Sequence, residues 1–236
     1  MRMMLKRLAF NKLPPRYSQW LRRKYLAWQL KRGKFVIDPV EQHAINQLLA
    51  EGDWVLDIGA NVGYYSRAFS AAVGEKGRVF AMEPIPENFE LLAANSLRFP
   101  FQNVTLLNLA ASDCWSLVNM VIPQWRGMPD YWGGHITDSL QGKRVLCCRL
   151  DDLRFPQRIN LIKIDVEGHE RAALEGMQEL LARDSPILII ETSLCCDWVS
   201  FLADLGYQCQ ALPGSPNSIF QKKEELKAVQ SILPSR

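Results

Sequence analysis

Short apolar runs alternate with longer amphipathic segments from about residue 39 to residue 222. Short runs that end in polar residues are typical of buried strands, and three- and four-residue spacing of apolar positions is typical of helices. The alternation predicts an α/β fold, with a mostly parallel sheet covered by helices on both faces. Strands are expected at 53–58, 78–83, 104–108, 159–164, 186–190, 207–212 and 218–221. Helices are expected at 39–50, 63–73, 86–97, along a segment carrying Leu174, Met177, Leu180 and Leu181, and at about 195–205.

Residues 112–150 interrupt this alternation. The segment is rich in tryptophan and tyrosine, contains the pair Gly133-Gly134, and has strand-like stretches near 117–122 and 144–149. We therefore predict one domain over residues 39–222 with an aromatic-rich insertion at about 112–150. Residues 223–236 are expected to form a C-terminal tail.

Residues 1–38 have a different pattern and predict a basic amphipathic helical arm. Lysine and arginine occur eleven times in residues 1–37 without any acidic residue, whereas the rest of the chain carries a net charge of −8. Aromatic and leucine side chains recur at helical spacing in this arm, namely Tyr17, Trp20, Leu21, Tyr25 and Trp28. Such a stripe beside cations fits packing on the main domain, contact with a membrane surface, or binding to a nucleic acid.

Composition limits the class of protein. The chain has 236 residues, of which 48% are hydrophobic and 22% charged, which is typical of a globular protein and excludes a disordered or fibrous one. Apolar runs are shorter than a membrane span, and the first fifteen residues are interrupted by basic side chains. We therefore expect a cytoplasmic protein whose basic arm can touch the inner face of the membrane.

The predicted strands end in polar residues, and in open α/β sheets ligands bind at these carboxyl ends. The first strand runs into Asp57-Ile-Gly59-Ala-Asn61-Val-Gly63, a glycine-containing turn into a helix, and the second ends at Glu83. A carboxylate at that position can accept hydrogen bonds from the two hydroxyls of a ribose. Asn61 stands where a dinucleotide-binding turn needs a glycine against pyrophosphate. A nucleoside cofactor without phosphate, S-adenosylmethionine, therefore fits better, with Asp57 near its ammonium group.

A longer series of motifs resembles the FkbM-type S-adenosylmethionine-dependent methyltransferases over about residues 40–221. The matching stretches are 55–66, Glu83-Pro84, Asn88, Asn95, 108–113 and above all Ile164-Asp165-Val-Glu167-Gly168-His-Glu170. The resemblance implies a class I, Rossmann-like methyltransferase fold with seven strands, and methylation of a hydroxyl on a sugar, glycolipid, polysaccharide or secondary metabolite. It also implies a border to the cofactor made by Asp57, Gly59, Asn61, Gly63, Ser66, Glu83 and Ala110, with residues 108–112 around the adenine.

Several residues are candidates for the transfer step itself, because a hydroxyl acceptor must lose its proton to a positioned base. Asp165 ends the fourth strand of the sheet, and His169 and His135 are the alternative bases. Asp165 and Glu191 end neighbouring strands and could together hold Mg²⁺, since this ion prefers oxygen ligands. The aromatic insertion is expected to form a wall against a small-molecule or glycan acceptor.

Three alternative functions remain open at this point. The basic arm would suit a methyltransferase of RNA or protein, although the N/D-P-P-Y/F turn common in methylation of base nitrogens is replaced here by Asp165-Val-Glu167-Gly168, and a nucleic acid is therefore the less favoured partner. A non-catalytic module could retain the cofactor and dock on a membrane or partner. A nicotinamide dehydrogenase is disfavoured by Asn61.

Overall fold

The computed structural model describes residues 15–125, 128–137, 139, 142–191 and 197–222. Its strands, in chain order, are β1 (Trp54–Ile58), β2 (Arg78–Met82), β3 (Val104–Leu107), β4 (Ala110–Ala111), β5 (Ser116–Val121), β6 (Gln124–Trp125), β7 (Met128–Pro129), β8 (His135–Thr137), β9 (Lys143–Cys148), β10 (Leu161–Ile164), β11 (Ile187–Glu191), β12 (Tyr207–Ala211) and β13 (Asn217–Lys222). Its helices are α1 (Pro15–Lys31), α2 (Pro39–Leu48), α3 (Tyr64–Val73), α4 (Pro86–Ser96), α5 (Glu170–Glu175), α6 (Gln178–Asp184) and α7 (Asp197–Asp204), with a 3-10 turn at Leu150–Asp152.

A seven-stranded sheet forms the centre of the molecule, with the order β12-β13-β11-β10-β1-β2-β3. The neighbours from β11 to β3 pair in parallel, while β13 pairs antiparallel with both β11 and β12. Strands β1 and β10 are almost wholly buried, as expected for strands covered on both faces. The predicted mostly parallel sheet with helices on both faces is confirmed.

One helical expectation is corrected. The segment carrying Leu174 to Leu181 is two short helices, because the chain bends at Gly176. A Cβ atom at Gly176 would lie 1.8 Å from the carbonyl oxygen of Ser112, so a close backbone contact fixes the bend. The helix expected at about 195–205 is α7, and residues 195 and 196 of that prediction lie outside the described residues.

The insertion has its own small sheet, with the order β4-β9-β5-β8, and β6 pairs with β7 beside it. The two strand-like stretches predicted near 117–122 and 144–149 correspond to β5 and β9. Met120 and Val145 of this sheet form an apolar cluster with Ile85, which follows β2. The insertion is thereby fixed over the carboxyl end of the central sheet.

The arm packs on the domain by a face different from the aromatic stripe. Leu26 is buried in a cluster that includes Phe35, Val62 and Leu91. The four aromatic rings of the stripe remain between 45% and 57% exposed. The aromatic stripe is therefore not the face that fixes the arm on the domain, and about half of each ring is open to another partner. In the described part of the chain, none of the helices is both long and apolar enough to span a bilayer.

Candidate active site

A cavity of about 520 Å³ opens at the carboxyl ends of β1, β2, β10 and β11. The last residues of these strands, or the residues directly after them, line it, namely Ile58, Glu83, Asp165 and Glu191. Parallel strands bring their carboxyl ends to one edge, which is why residues far apart in sequence meet here. The insertion and the segment between α1 and α2 provide the remaining walls. Predicted cofactor residues Gly59, Asn61 and Ala110 also line the cavity.

Glu83 and Asn61 form a buried polar pair in this wall. The Asn61 backbone N–H donates to Glu83 Oε2 at 2.8 Å, and the Ile85 N–H donates to Glu83 Oε1 at 2.8 Å. Burial raises the pKa of Glu83 to about 7. Asn61 has a left-handed backbone (φ 50°), and its Oδ1 is buried without a hydrogen-bond partner. An unpaired buried acceptor is costly, so this atom is suited to a donor group on a ligand.

Asp57, Gly63 and Ser66, which were predicted to border the cofactor, do not line the cavity but lie behind its wall. The Asp57 carboxylate is fully buried and accepts a hydrogen bond from the Ser66 hydroxyl, and burial raises its pKa to about 6. A Cβ at Gly63 would lie 2.7 Å from the Leu92 side chain. These three residues therefore support the turn from beneath it, and their predicted place at the border of the cofactor stays a prediction.

Gly59 is required by the protein backbone itself. Its φ is 82°, and a Cβ there would lie 1.8 Å from the carbonyl oxygen of Asp165. The ends of β1 and β10 therefore approach each other so closely that only glycine fits. This backbone contact alone requires glycine at position 59, which also lines the cavity.

Asp165 forms an ion pair with Lys163, whose Nζ lies 3.3 Å from Asp165 Oδ2. The Lys163 side chain is 1% exposed, and Lys163 is the strand neighbour of Asp57 in the β1–β10 register. A buried cation needs such partners. The Asp165 side chain is one-third exposed and reaches the cavity, so the pair holds a carboxylate in place at the cavity wall.

Glu167 and Glu191 also line the cavity beside Asp165. The pKa of each is raised, first by burial and then by the charge of Asp165. Among the described residues, no group of three or more histidine, cysteine or acidic side chains could hold a metal ion. A magnesium ion on Asp165 and Glu191 would thus have two protein ligands and would need further oxygen ligands from water or acceptor.

The two candidate histidines have different positions. His169 lines the cavity, its Nε2 lies 2.9 Å from the Ser112 hydroxyl oxygen, and burial lowers its pKa. His135 is exposed and does not line the cavity. Successive side chains of a strand point to opposite faces, and in β8 it is Ile136 that lines the cavity. The structure therefore places His169, and not His135, in the cavity wall, and the role of His135 as a base stays a prediction.

Sequence reasoning missed several polar residues of the cavity wall. Gln29 and Lys34 come from the arm, and the Tyr64 hydroxyl donates to Gln29 Oε1 at 2.8 Å. Glu41 accepts hydrogen bonds from Tyr65 and from Asn217. Glu41 is in the first turn of α2, where acidic residues are common. Its position in the sequence therefore did not indicate a role in the site. Gln29 could have been noticed as a polar position among aromatic ones.

The chain is similar in sequence to known methyltransferases. The model of the methyltransferase FkbM domain matches residues 57–209, well over half of the chain. The hexuronic acid methyltransferase AglP of Haloferax volcanii is 31% identical over 147 residues, covering 60% of this chain and 58% of that protein. A protein-L-isoaspartate O-methyltransferase of Methanothrix thermoacetophila is 36% identical over 59 residues, covering 25% of this chain and 28% of that protein.

Solved structures share the fold. The methyltransferase FkbM of Methylobacillus flagellatus superposes with a TM-score of 0.56 at 18% identity, covering 75% of this chain and 47% of that one. A putative rRNA-methylase of Clostridium thermocellum gives a TM-score of 0.51 at 12% identity, covering 76% and 90%. The chain thus spans about half the length of the first of these structures. The fold is that of the class I methyltransferases, and the chain belongs to the FkbM methyltransferase family.

Proposed function

We propose that this chain transfers a methyl group from S-adenosylmethionine to a hydroxyl of a sugar, glycan or related secondary metabolite. The observation that carries the proposal is that one cavity holds two chemically different groups of residues. We assign the surroundings of the Glu83–Asn61 pair to a first half and the carboxylates that follow β10 and end β11 to a second half, and aromatic rings line the same cavity.

The first half fits the cofactor. Glu83 has acceptor capacity left for ribose hydroxyls after its two backbone bonds, and the unpartnered Asn61 Oδ1 can accept from a hydroxyl or an ammonium group. Apolar residues beyond this pair, including Ile85 and Leu109, can enclose an adenine ring. Carboxylates are the main charged groups of the wall and attract the cationic sulfonium. When bound, the cofactor supplies an electrophilic methyl group.

The second half fits a hydroxyl acceptor. We assign the proton-accepting role to Asp165, whose carboxylate faces the cavity and is held by Lys163. His169 bonds Ser112, which belongs to the stretch that would surround the adenine, so we favour it less as the base. Carboxylates such as Glu167 and Glu191 can orient sugar hydroxyls by accepting their hydrogen bonds.

Aromatic side chains support a sugar as the acceptor. Trp132 lines the cavity, and its ring lies 6.2 Å from the ring of Tyr64. Flat aromatic faces pack against sugar rings and exclude water from the transfer step. The similarity to a protein named as a hexuronic acid methyltransferase agrees with this acceptor class.

The decisive experiment uses methyl-labelled cofactor and fractionated cell extract, separated into polysaccharide, lipid, small-molecule, RNA and protein pools. We expect label in a glycan-containing or small-molecule pool. Asp165→Asn should lower the transfer rate by about 10²–10⁴, the usual contribution of a positioned base, with much less change in cofactor affinity by calorimetry. Glu170→Gln is the control, because Glu170 bonds the Gly168 N–H and does not line the cavity. Label only in RNA or protein would contradict the proposal.

The role of Mg²⁺ at Asp165 and Glu191 stays a proposal of its own. If the ion lowers the pKa of the acceptor hydroxyl, EDTA should abolish transfer and added Mg²⁺ should restore it. Glu191→Gln should then raise the Mg²⁺ concentration needed for half-maximal rate. Full activity in EDTA would exclude a role for the metal ion and leave Asp165 as the base.

A further inference from the structure

The exposed side of α1 combines aromatic rings and cations on one surface. We define this surface, the outer face, by six exposed residues, namely Trp20, Arg23, Lys24, Tyr25, Trp28 and Lys31. We propose that the outer face docks on an anionic lipid bilayer, so that the protein works at a membrane surface.

The opposite side of α1 is fixed on the domain and so defines which residues point outward. Leu26 is buried, Arg22 Nη2 donates to Asn88 Oδ1 at 3.0 Å, and the Gln19 amide donates to the Glu87 carbonyl oxygen. The guanidinium of Arg22 also lies 4.3 Å from the centre of the Tyr131 ring. These contacts hold the helix in one rotational setting, so the outer face is a preformed surface.

The rings of the outer face are exposed in a group. Trp20 is 54% exposed, Tyr25 57% and Trp28 45%, and the rings of Tyr25 and Trp28 are stacked with centroids 6.0 Å apart. Single exposed rings are ordinary, but a contiguous group indicates an interaction site. Tryptophan and tyrosine prefer the membrane–water interface, because one part of each ring is apolar and another is polar.

Cations are interleaved with these rings. Lys24 Nζ lies 5.5 Å from the Trp20 ring centre, and Lys34 Nζ lies 5.3 Å from that of Trp28. Residues 1–37 contain eleven basic residues and no acidic one, whereas the remaining chain has a net charge of −8. An anionic surface therefore attracts the arm and repels the rest, which orients the molecule with the outer face toward lipid headgroups.

Two other occupants fit less well. A second copy of this chain that paired through its own outer face would bring the same positive charge against this one, and like charges repel. Proteins that bind single-stranded nucleic acid without sequence preference use a groove that follows the strand. The outer face is the convex side of a surface helix instead. Lipid headgroups need only a flat arrangement of rings and cations.

The test is sedimentation of the full chain with vesicles. We expect pelleting with phosphatidylcholine vesicles that contain about 30% phosphatidylglycerol, weaker pelleting with pure phosphatidylcholine, and loss of binding as salt is raised. The double variants Trp20→Ala/Trp28→Ala and Arg23→Glu/Lys24→Glu should each weaken the partition coefficient at least about tenfold. Circular dichroism melts verify that the variants remain folded.

Matched controls come from elsewhere on the surface. Trp115→Ala removes a tryptophan that is 50% exposed, and Lys76→Glu reverses a lysine whose side chain is 82% exposed. Both controls should pellet like the parent chain. Binding equal on neutral and anionic vesicles, or binding unchanged in both double variants, would overturn the proposal. Displacement from vesicles by an equal mass of single-stranded RNA would assign the outer face to nucleic acid instead. None of these measurements depends on methyl transfer.

Discussion

At the scale of single residues, Glu83 is the most informative side chain of the site. Both its oxygens already accept backbone N–H groups, and burial raises its pKa to about 7. The carboxylate therefore takes up a proton much closer to neutral pH than an ordinary glutamate does. A ligand that donates hydroxyls or carries positive charge binds the ionised form better.

We expect cofactor affinity in the parent chain to fall as pH decreases from about 8 to 5, because protonation of Glu83 removes its negative charge. Glu83→Gln should weaken binding at pH 8 and remove most of this dependence, and any remaining change near pH 6 would report Asp57. Isothermal titration calorimetry over this range is the measurement. A parent affinity independent of pH would show that Glu83 does not contact the cofactor.

The same raised pKa affects folding in the opposite direction. A carboxyl group with a raised folded pKa stabilises the fold most when protonated, and this contribution is lost as pH rises from about 4.5 through 7. Bound cofactor should offset that loss. The pH that favours binding is thus the pH at which the empty site is least stable.

Replacement of Gly59 tests how closely the ends of β1 and β10 approach each other. Gly59→Ala should destabilise the protein by clearly more than the roughly 1–2 kcal/mol of a left-handed alanine, because its Cβ would collide with the Asp165 carbonyl. Gly52→Ala is the control, since Gly52 has φ 97° but no atom within 4 Å of its Cβ position. Urea unfolding measures both. Equal losses would mean that the β1 and β10 ends can separate at little cost.

At the scale of elements, the spacing of apolar residues and the polar strand ends were sufficient to predict the strands of the central sheet. Asp165, Glu83 and Glu191 could be placed near one another because each ends a strand of an alternating series. The insertion could not be assigned in this way, because strands such as β6 and β8 contain two or three residues and give no periodic signal. The bend at Gly176 depends on a contact with Ser112, which is distant in sequence.

Strand β8 gives a prediction based on its alternation. Ile136→Ala should weaken cofactor binding several-fold, because Ile136 lines the cavity and packs with Ile85 and Met120. His135→Ala should leave both affinity and rate unchanged, because His135 is exposed and its Nδ1 lies 3.0 Å from the Gly133 carbonyl oxygen. Steady-state kinetics of both variants decide the point. A large loss of rate in His135→Ala would restore this histidine as a catalytic residue.

At the scale of the whole molecule, the cavity is assembled from three parts that are separate in sequence. The central sheet provides the carboxylates, the arm provides Gln29 and Lys34, and the insertion provides Trp132. Sequence patterns identified each part and predicted that the insertion faces the acceptor, but they did not predict that the arm reaches the cavity, since that contact depends on the packing of Leu26. A mutation in one part should therefore change one property of the cavity, such as acceptor binding, and leave the others largely unchanged.

Trp132→Ala tests this separation. We expect the KM for the acceptor to rise about tenfold, as for loss of a stacking ring, while the Kd for S-adenosylmethionine changes little. Trp115→Ala serves as the control, because Trp115 belongs to the same insertion but bonds Asp152 and does not line the cavity. Equal weakening of acceptor and cofactor binding would remove Trp132 from a specific role at the acceptor.

The hydrogen bonding of the insertion has a consequence for how specificity can evolve. Within the described residues, strands β4, β5, β8 and β9 pair with one another and not with the central sheet. Exchanging this subdomain for that of another family member would leave the scaffold below it intact. Chimeras grafted between Ala111 and Cys148 should therefore inherit the substrate preference of the donor while the recipient keeps its Glu83–Asn61 pair, and the apolar packing on Ile85 must be preserved for cofactor affinity.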